Sequence, residues 1–255
     1  MPASYAHQRF GAQVLKTMPG AQRQCVQRFR RMFDAGLHGP DIFFYYNPFW
    51  NNSVREAGVG FHRMPGREFF PAACQAASSE AARAYLYGLL AHYCLDSVCH
   101  PLVNKLDAIG EAKHSVLESE FDRHLLTLDG EKEPERFNAG KRLRLTRGEC
   151  MTAAEFYPGI TGGQVSRSVK AMAFNLKFLT SGNLKRKRAL LDKLKPGLTD
   201  QMIPETEKEE LVFYIGELKE AYDEAVSRYP FLLENITAYM DSGKELGGLF
   251  EPDFG

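Results

Sequence analysis

The sequence predicts an all-α fold, organised as a single helical domain spanning residues 1–255. Three observations carry that prediction. Apolar residues recur at three- and four-residue spacing through most of the chain. No run alternates apolar and polar residues as a half-buried strand would. Gly and Pro fall where helix-length segments end. At 255 residues the chain is long enough to bury a substantial core. Metal-ligating residue types concentrate in about 5–125, and a further helical part covers about 150–245.

In chain order, a first helix is expected over Ser4 to Lys16, with Ser4 as its N-cap. A second covers Ala21 to Ala35, where Val26, Phe29, Met32 and Phe33 share helical spacing. Gly36, Gly39 and Pro40 break it, and an aromatic run from Phe43 to Trp50 leads into a Gly-containing loop carrying His62. An Ala- and Leu-rich helix runs from Ser78 to Val98 and ends at Pro101; another runs from Lys113 to Leu128. The segment 129–140 is a polar connector. Helices over Thr152 to Tyr157, Gly163 to Leu179, Lys185 to Leu194, Glu205 to Arg228 and Pro230 to Ser242 follow. The tail, Gly247 to Gly255, is expected to be poorly anchored.

Lys plus Arg and Asp plus Glu both number 32, so no global field draws the chain to nucleic acid or to an anionic membrane. The basic run Lys185-Arg-Lys-Arg188 lacks interleaved aromatics and reads as a solvated face. No apolar stretch reaches the length of a membrane span, and the amino-terminal residues lack a basic head followed by an apolar run. Five cysteines, odd in number and without a Cys-x-x-Cys pair, fit a reducing, cytoplasmic setting better than a disulfide scaffold.

Within the Ala- and Leu-rich helix, His92, Asp96 and His100 recur every fourth residue, and His114 and Glu118 repeat that spacing on the next helix. Residues four apart share a helix face. Each stripe would bury charge without a partner unless a cation were held there, since unpaired buried charge is strongly disfavoured. Imidazoles and carboxylates on facing helices form zinc or two-metal sites in helical bundles. His62, Asp41 and His7 have bland readings when taken singly: a loop residue, a turn or cap residue, and a core histidine. His38 and His124 are weaker candidates still.

Taken together, the order His7, Asp41, His62, His92-x-x-x-Asp96, His100, His114-x-x-x-Glu118 resembles the bacterial zinc-dependent phospholipases C, whose all-α fold is shared with single-strand-specific zinc nucleases. The resemblance is carried by Gly-Pro-Asp41 before the aromatics, by Tyr87-Gly-Leu-Leu-Ala-His92-Tyr-x-x-Asp96, and by His114-Ser-x-x-Glu118-x-x-x-Asp122. It spans roughly residues 5–125. The resemblance implies two or three zinc ions. His62, His92, Asp96 and Asp41 would hold one, and His100, His114 and Glu118 a second. His7, with Asp96 as a bridging carboxylate, would hold the third. Secreted members complete that third site with a mature N-terminal residue, for which this chain would offer a Pro2 amine after loss of Met1.

The same resemblance implies phosphodiester hydrolysis, with metal-activated water attacking phosphorus and Asp41 orienting or deprotonating that water. Paired metal ions suit such in-line displacements. Most of the aromatics from Phe43 to Trp50 read as core, with Tyr45, Tyr46 and Trp50 expected to meet the phospholipid or small phosphoester substrate, a lipid headgroup by cation–π contact or a base by stacking. Two alternatives remain open: a nuclease or nucleotide phosphatase using the same cluster, and a metal-stapled helical binding protein without catalysis. No stable nucleic-acid complex is expected of a neutral chain.

Overall fold

A computed structural model describes residues 4–194 and 197–255, and among them there is no β-strand. The first two helices are α1 (Ser4–Thr17) and α2 (Gly20–Arg28). The expected second helix is interrupted at Phe29, whose φ of −113° and ψ of 43° are not helical, and it restarts as α3 (Arg30–Gly36). The aromatic run begins as a 3-10 helix, Gly39–Tyr45, with Pro40 in its first turn, where the missing donor costs nothing. Next come α4 (Ser53–His62), capped by the Asn52 side chain, and α5 (Gly66–Ala76). Both lie in sequence read as a loop, so His62 is the last residue of a helix instead of a loop residue.

Helix α6 (Glu80–Ala108) is the axis of the molecule. Every residue from Ala84 to Ser97 is buried, so this helix has no solvent face along that stretch. It does not stop at Pro101. Val103 and Leu106 beyond the proline are buried, and their packing outweighs the lost backbone hydrogen bond. Helix α7 (His114–Leu128) returns along it.

Two capping boxes set the starts of α8 (Arg147–Ala154) and α9 (Gly162–Thr180). In each, the threonine side chain accepts from a backbone N–H while Glu149 or Gln164 accepts from the threonine N–H. α8 therefore begins earlier than the expected Thr152. After α10 (Leu184–Leu194), a single helix α11 (Val212–Ser242) replaces the two expected on either side of Pro230. It starts later than the expected Glu205. Tyr229, Leu232, Leu233 and Ile236 are buried around Pro230, so the helix runs through it.

One hydrophobic core extends from Ala6 on α1 to Phe254 in the tail. The tail is anchored, contrary to expectation. Phe250 and Phe254 are fully buried, the Tyr93 hydroxyl donates to the Leu249 and Pro252 carbonyls, and Arg67 pairs with Glu251. Aromatic residues near a chain end supply enough buried area to hold it.

Two glycines set how closely α3 approaches α6. A Cβ on Gly88 would run into the Phe33 carbonyl oxygen, and one on Gly36 would meet the Tyr85 carbonyl oxygen. Backbone therefore lies on backbone, and the segment carrying Asp41 is drawn against the middle of α6. Gly88→Ala is expected to lower unfolding free energy by about 1–3 kcal/mol through overpacking. Urea denaturation of the purified variant measures it, and an unchanged midpoint would contradict the close approach.

Candidate metal centre

α6 positions the central stripe. His92, Asp96 and His100 occupy successive turns of one buried face, with 0%, 4% and 6% of their surfaces exposed. The 3-10 helix brings Asp41 against this face from one side, and the C-terminal end of α4 brings His62. Gly39 makes the approach possible in two ways: its φ of +46° suits glycine, and a Cβ there would collide with the His92 ring. Asp41, His62, His92 and Asp96 each present a ligand atom within 4.8 Å of the others. His62 Nε2 lies 2.7 Å from Asp41 Oδ1, and His92 Nε2 lies 3.2 Å from Asp96 Oδ2.

A second donor set adjoins the first. His100 Nε2 is 3.5 Å from Glu118 Oε1, and His114 Nε2 is 3.1 Å from the same oxygen. His100, His114 and Glu118 also converge within 4.8 Å. The two sets touch through His100 Nδ1, 3.7 Å from Asp96 Oδ2. A cavity of about 30 Å³ lined by His7, Asp96, His100 and Glu118 leaves room there for one water or ion.

The hydrogen bonds around the imidazoles decide what this arrangement is built to hold. Nδ1 of His62 faces the Gly58 carbonyl at 2.9 Å, Nδ1 of His92 the Leu37 carbonyl at 3.2 Å, and Nδ1 of His100 the Phe254 carbonyl at 2.8 Å. A carbonyl only accepts, so each Nδ1 carries a hydrogen, and in its neutral form each ring turns an Nε2 lone pair inward. That lone pair then faces a carboxylate. Two acceptors at 2.7–3.5 Å are held together only by a proton or a cation between them. His92 Nε2 and Asp96 Oδ2 are buried without a hydrogen-bond partner among the described residues. Inward Nε2 atoms backed by Nδ1–H···O=C bonds are the usual way a protein orients histidine ligands, so the donors fit zinc.

Charge in the cluster follows the same logic. Burial pushes the His92 imidazole down to about 4, although Asp96 and Asp41 oppose it. His100 is also buried, yet Asp96 and Glu118 overcome that and raise it to about 9. Burial would raise Asp96 and Asp41, but neighbouring imidazoles hold both below the ordinary carboxylate range; Glu118 is also held low against its burial, with His100 and His114 contributing. The carboxylates are therefore ionised in the folded protein, as a cation site needs.

His7 reaches the cluster from α1. Its Nε2 is 3.2 Å from Asp96 Oδ1, and its ring stacks on His92 at 4.6 Å. Asp122 on α7 holds α1 in place by accepting from the Tyr5 and Ala6 N–H groups at 3.0 and 2.8 Å. These are donors that a helix start leaves free. In the sequence Asp122 stands out only as part of a motif. Its signal was the Glu118-x-x-x-Asp122 spacing, which puts it on the ligand face of α7. Met1 and Pro2, the proposed completion of a third metal site, lie outside the described residues.

The aromatic run divides. Phe43 is core, edge-on to Tyr157 at 4.8 Å, and Phe44 covers the His62 ring at 5.0 Å. Tyr45 is buried, and its hydroxyl is kept protonated by burial and by Asp41, Glu118 and Asp122 nearby. Tyr46 lies under the Arg167 guanidinium at 5.3 Å, and Trp50 is exposed in the following loop. His38, one of the weaker candidates, is buried beside His7, Asp41 and His92, and burial pushes it down to about 3. All five cysteines are free thiols. No helix among the described residues is long and apolar enough to cross a membrane.

Helices wrapped around a buried imidazole–carboxylate cluster define a fold of the helical-bundle class with a candidate metal centre. Within that class the chain belongs to the zinc-dependent phospholipase C family, whose model matches residues 6–161, well over half of its length and every residue of both donor sets. No curated protein and no solved structure matches it.

Proposed function

We propose that the protein is a zinc-dependent phosphodiester hydrolase of phospholipase C type, acting on a phospholipid or a smaller phosphodiester. The observation that carries this reading is the pair of convergent donor sets gathered around α6, within the part of the chain that matches the family. His62, His92, Asp96 and Asp41 would hold one ion, His100, His114 and Glu118 another, and His7 with Asp96 a third. Zinc bound there supplies Lewis-acid chemistry: it activates water near neutral pH and neutralises charge on phosphoryl oxygens.

The protein's own groups divide the remaining work. The Asp41 carboxylate, ionised and fixed by His62, orients or deprotonates the attacking water. The Tyr45 hydroxyl, kept protonated, donates to a non-bridging phosphoryl oxygen. Tyr46 and Trp50 flank the approach of the substrate headgroup.

Metal analysis of purified protein, paired with turnover of a chromogenic phosphodiester with and without chelator, tests the reading. Zinc at two or three equivalents and chelator-sensitive turnover are expected. Bound zinc without turnover on any phosphodiester would leave a binding protein, and preference for nucleotides would favour the phosphatase alternative. Asp41→Asn is expected to lower kcat by about a hundredfold. Its metal content is expected to fall less than that of His92→Ala, because asparagine keeps an oxygen that can face the cation whereas alanine offers no donor. Full activity in the asparagine variant would remove Asp41 from the catalytic role.

A further inference from the structure

The segment from Phe156 to Leu191 holds seven basic residues and no acidic one, in a chain whose charges otherwise balance. It lies almost wholly beyond the family match. On α9, Val165, Val169, Met172, Leu176 and Leu179 face the core. The opposite face presents Arg167, Lys170, Phe174, Lys177 and Phe178 at three- and four-residue spacing, all exposed. Phe174 is 71% exposed and Phe178 40%, and their rings stack 6.2 Å apart. The Lys187 ammonium on α10 sits 4.2 Å from the Phe178 ring, so the basic run does have an aromatic beside it. Lys185 and Arg186 extend the exposed charge.

None of Arg167, Lys170, Lys177, Lys185 and Arg186 forms an ion pair among the described residues. Elsewhere on the surface Arg28, Arg31, Arg67, Lys219 and Arg228 are each matched by a carboxylate. A continuous basic face with protruding aromatic rings is the composition of helices that lie on anionic lipid, where the charges meet headgroups and the rings enter the acyl boundary. The face also touches the segment that carries Asp41. Arg167 covers Tyr46, the residue after Tyr45, and the loop beyond carries Phe49 and Trp50, 81% and 70% exposed and packed edge to face.

We propose that the outward face of α9 with the start of α10 is a docking surface for an anionic phospholipid membrane. The choice of lipid over nucleic acid rests on the phospholipase reading and on the two solvent-facing phenylalanines. The whole-chain neutrality expected to exclude a membrane field is an average over separated charges, and here one sign is gathered on one face.

Co-sedimentation with vesicles tests this separately from catalysis. Wild-type protein is expected to bind vesicles of equal parts phosphatidylcholine and phosphatidylserine, to bind pure phosphatidylcholine weakly, and to be released by salt. Lys170→Ser with Lys177→Ser is expected to weaken binding about 25-fold, at about fivefold for each basic residue near an anionic surface. Phe174→Ser with Phe178→Ser is expected to weaken it while leaving the salt dependence in place. Turnover of a water-soluble phosphodiester by both variants is expected to match wild type, which also reports that they are folded. Equal binding to both vesicle types, binding indifferent to the substitutions, or preferential capture of a single-stranded oligonucleotide would overturn the proposal. If wild-type protein binds anionic vesicles as described but turns over no phosphodiester, the hydrolase reading falls and the docking surface stands.

Discussion

Asp96→Ala is expected to strip metal from the protein, reduce phosphodiester turnover to the level of the chelated enzyme, and destabilise the fold even without metal. Asp96 lies 3.2 Å from His7, 3.2 Å from His92 and 3.7 Å from His100, and among the described residues it is the only carboxylate in contact with all three. Removing it leaves buried imidazoles facing one another without their shared anion. Breaking a buried ionic contact from one side costs about 3–5 kcal/mol, because the partner's desolvation is no longer offset. Asp96→Asn separates charge from packing. It keeps the shape but presents an amide with no net charge, so metal loss should persist while the packing component of the destabilisation is recovered. Plasma emission analysis of metal content and urea unfolding with chelator present measure the two effects. A variant that retains full zinc would show that Asp96 is not a ligand, and equal chelated stabilities would show that its charge does not hold the three rings.

The central stripe was legible in the sequence because one helix carries it, and helical periodicity converts spacing directly into a shared face. His114 and Glu118 followed by the same rule. His62 and Asp41 were located by family resemblance, and their local structure was misread or left open. α4 carries two glycines and α5 a glycine and an internal proline, which are loop signals, and they are helical because Phe61, Phe69, Phe70 and Ala73 pack into the core. Pro101 and Pro230 were read as stops, yet both sit in long helices whose flanking residues are buried. In each case tertiary packing overrode a local rule. The Phe254 carbonyl behind His100 had no local signal at all, since that contact joins residues 154 apart in sequence.

That carbonyl bears on a second large effect: the chelated and the zinc-loaded protein are expected to respond to pH with opposite sign. In the metal-free protein His100 keeps its proton up to about 9, because Asp96 and Glu118 outweigh its burial, whereas the unfolded chain releases it near 6.5. A raised imidazole stabilises the fold fully below pH 6.5, and that contribution is lost as pH rises through 9. The loss is on the order of 3 kcal/mol across the window. His92 does not oppose it there. Its pKa is depressed to about 4, so its contribution is complete above 6.5 and is lost only on acidification. Asp122, raised by burial to about 7, adds a decline that is largely complete once pH passes that value. Zinc reverses the His100 contribution. A ligand imidazole must be neutral, so the ion competes with the proton and binds more tightly as pH rises, adding stability over the interval where the chelated protein loses it. Melting temperatures recorded between pH 6.5 and 9, with chelator and with stoichiometric zinc, are expected to diverge toward the alkaline end. Parallel curves would mean that His100 does not exchange a proton for a metal ion. Replacing His100 with Gln should reduce the chelated slope while leaving the declines due to Asp122 and to His7, which Asp96 raises against its burial.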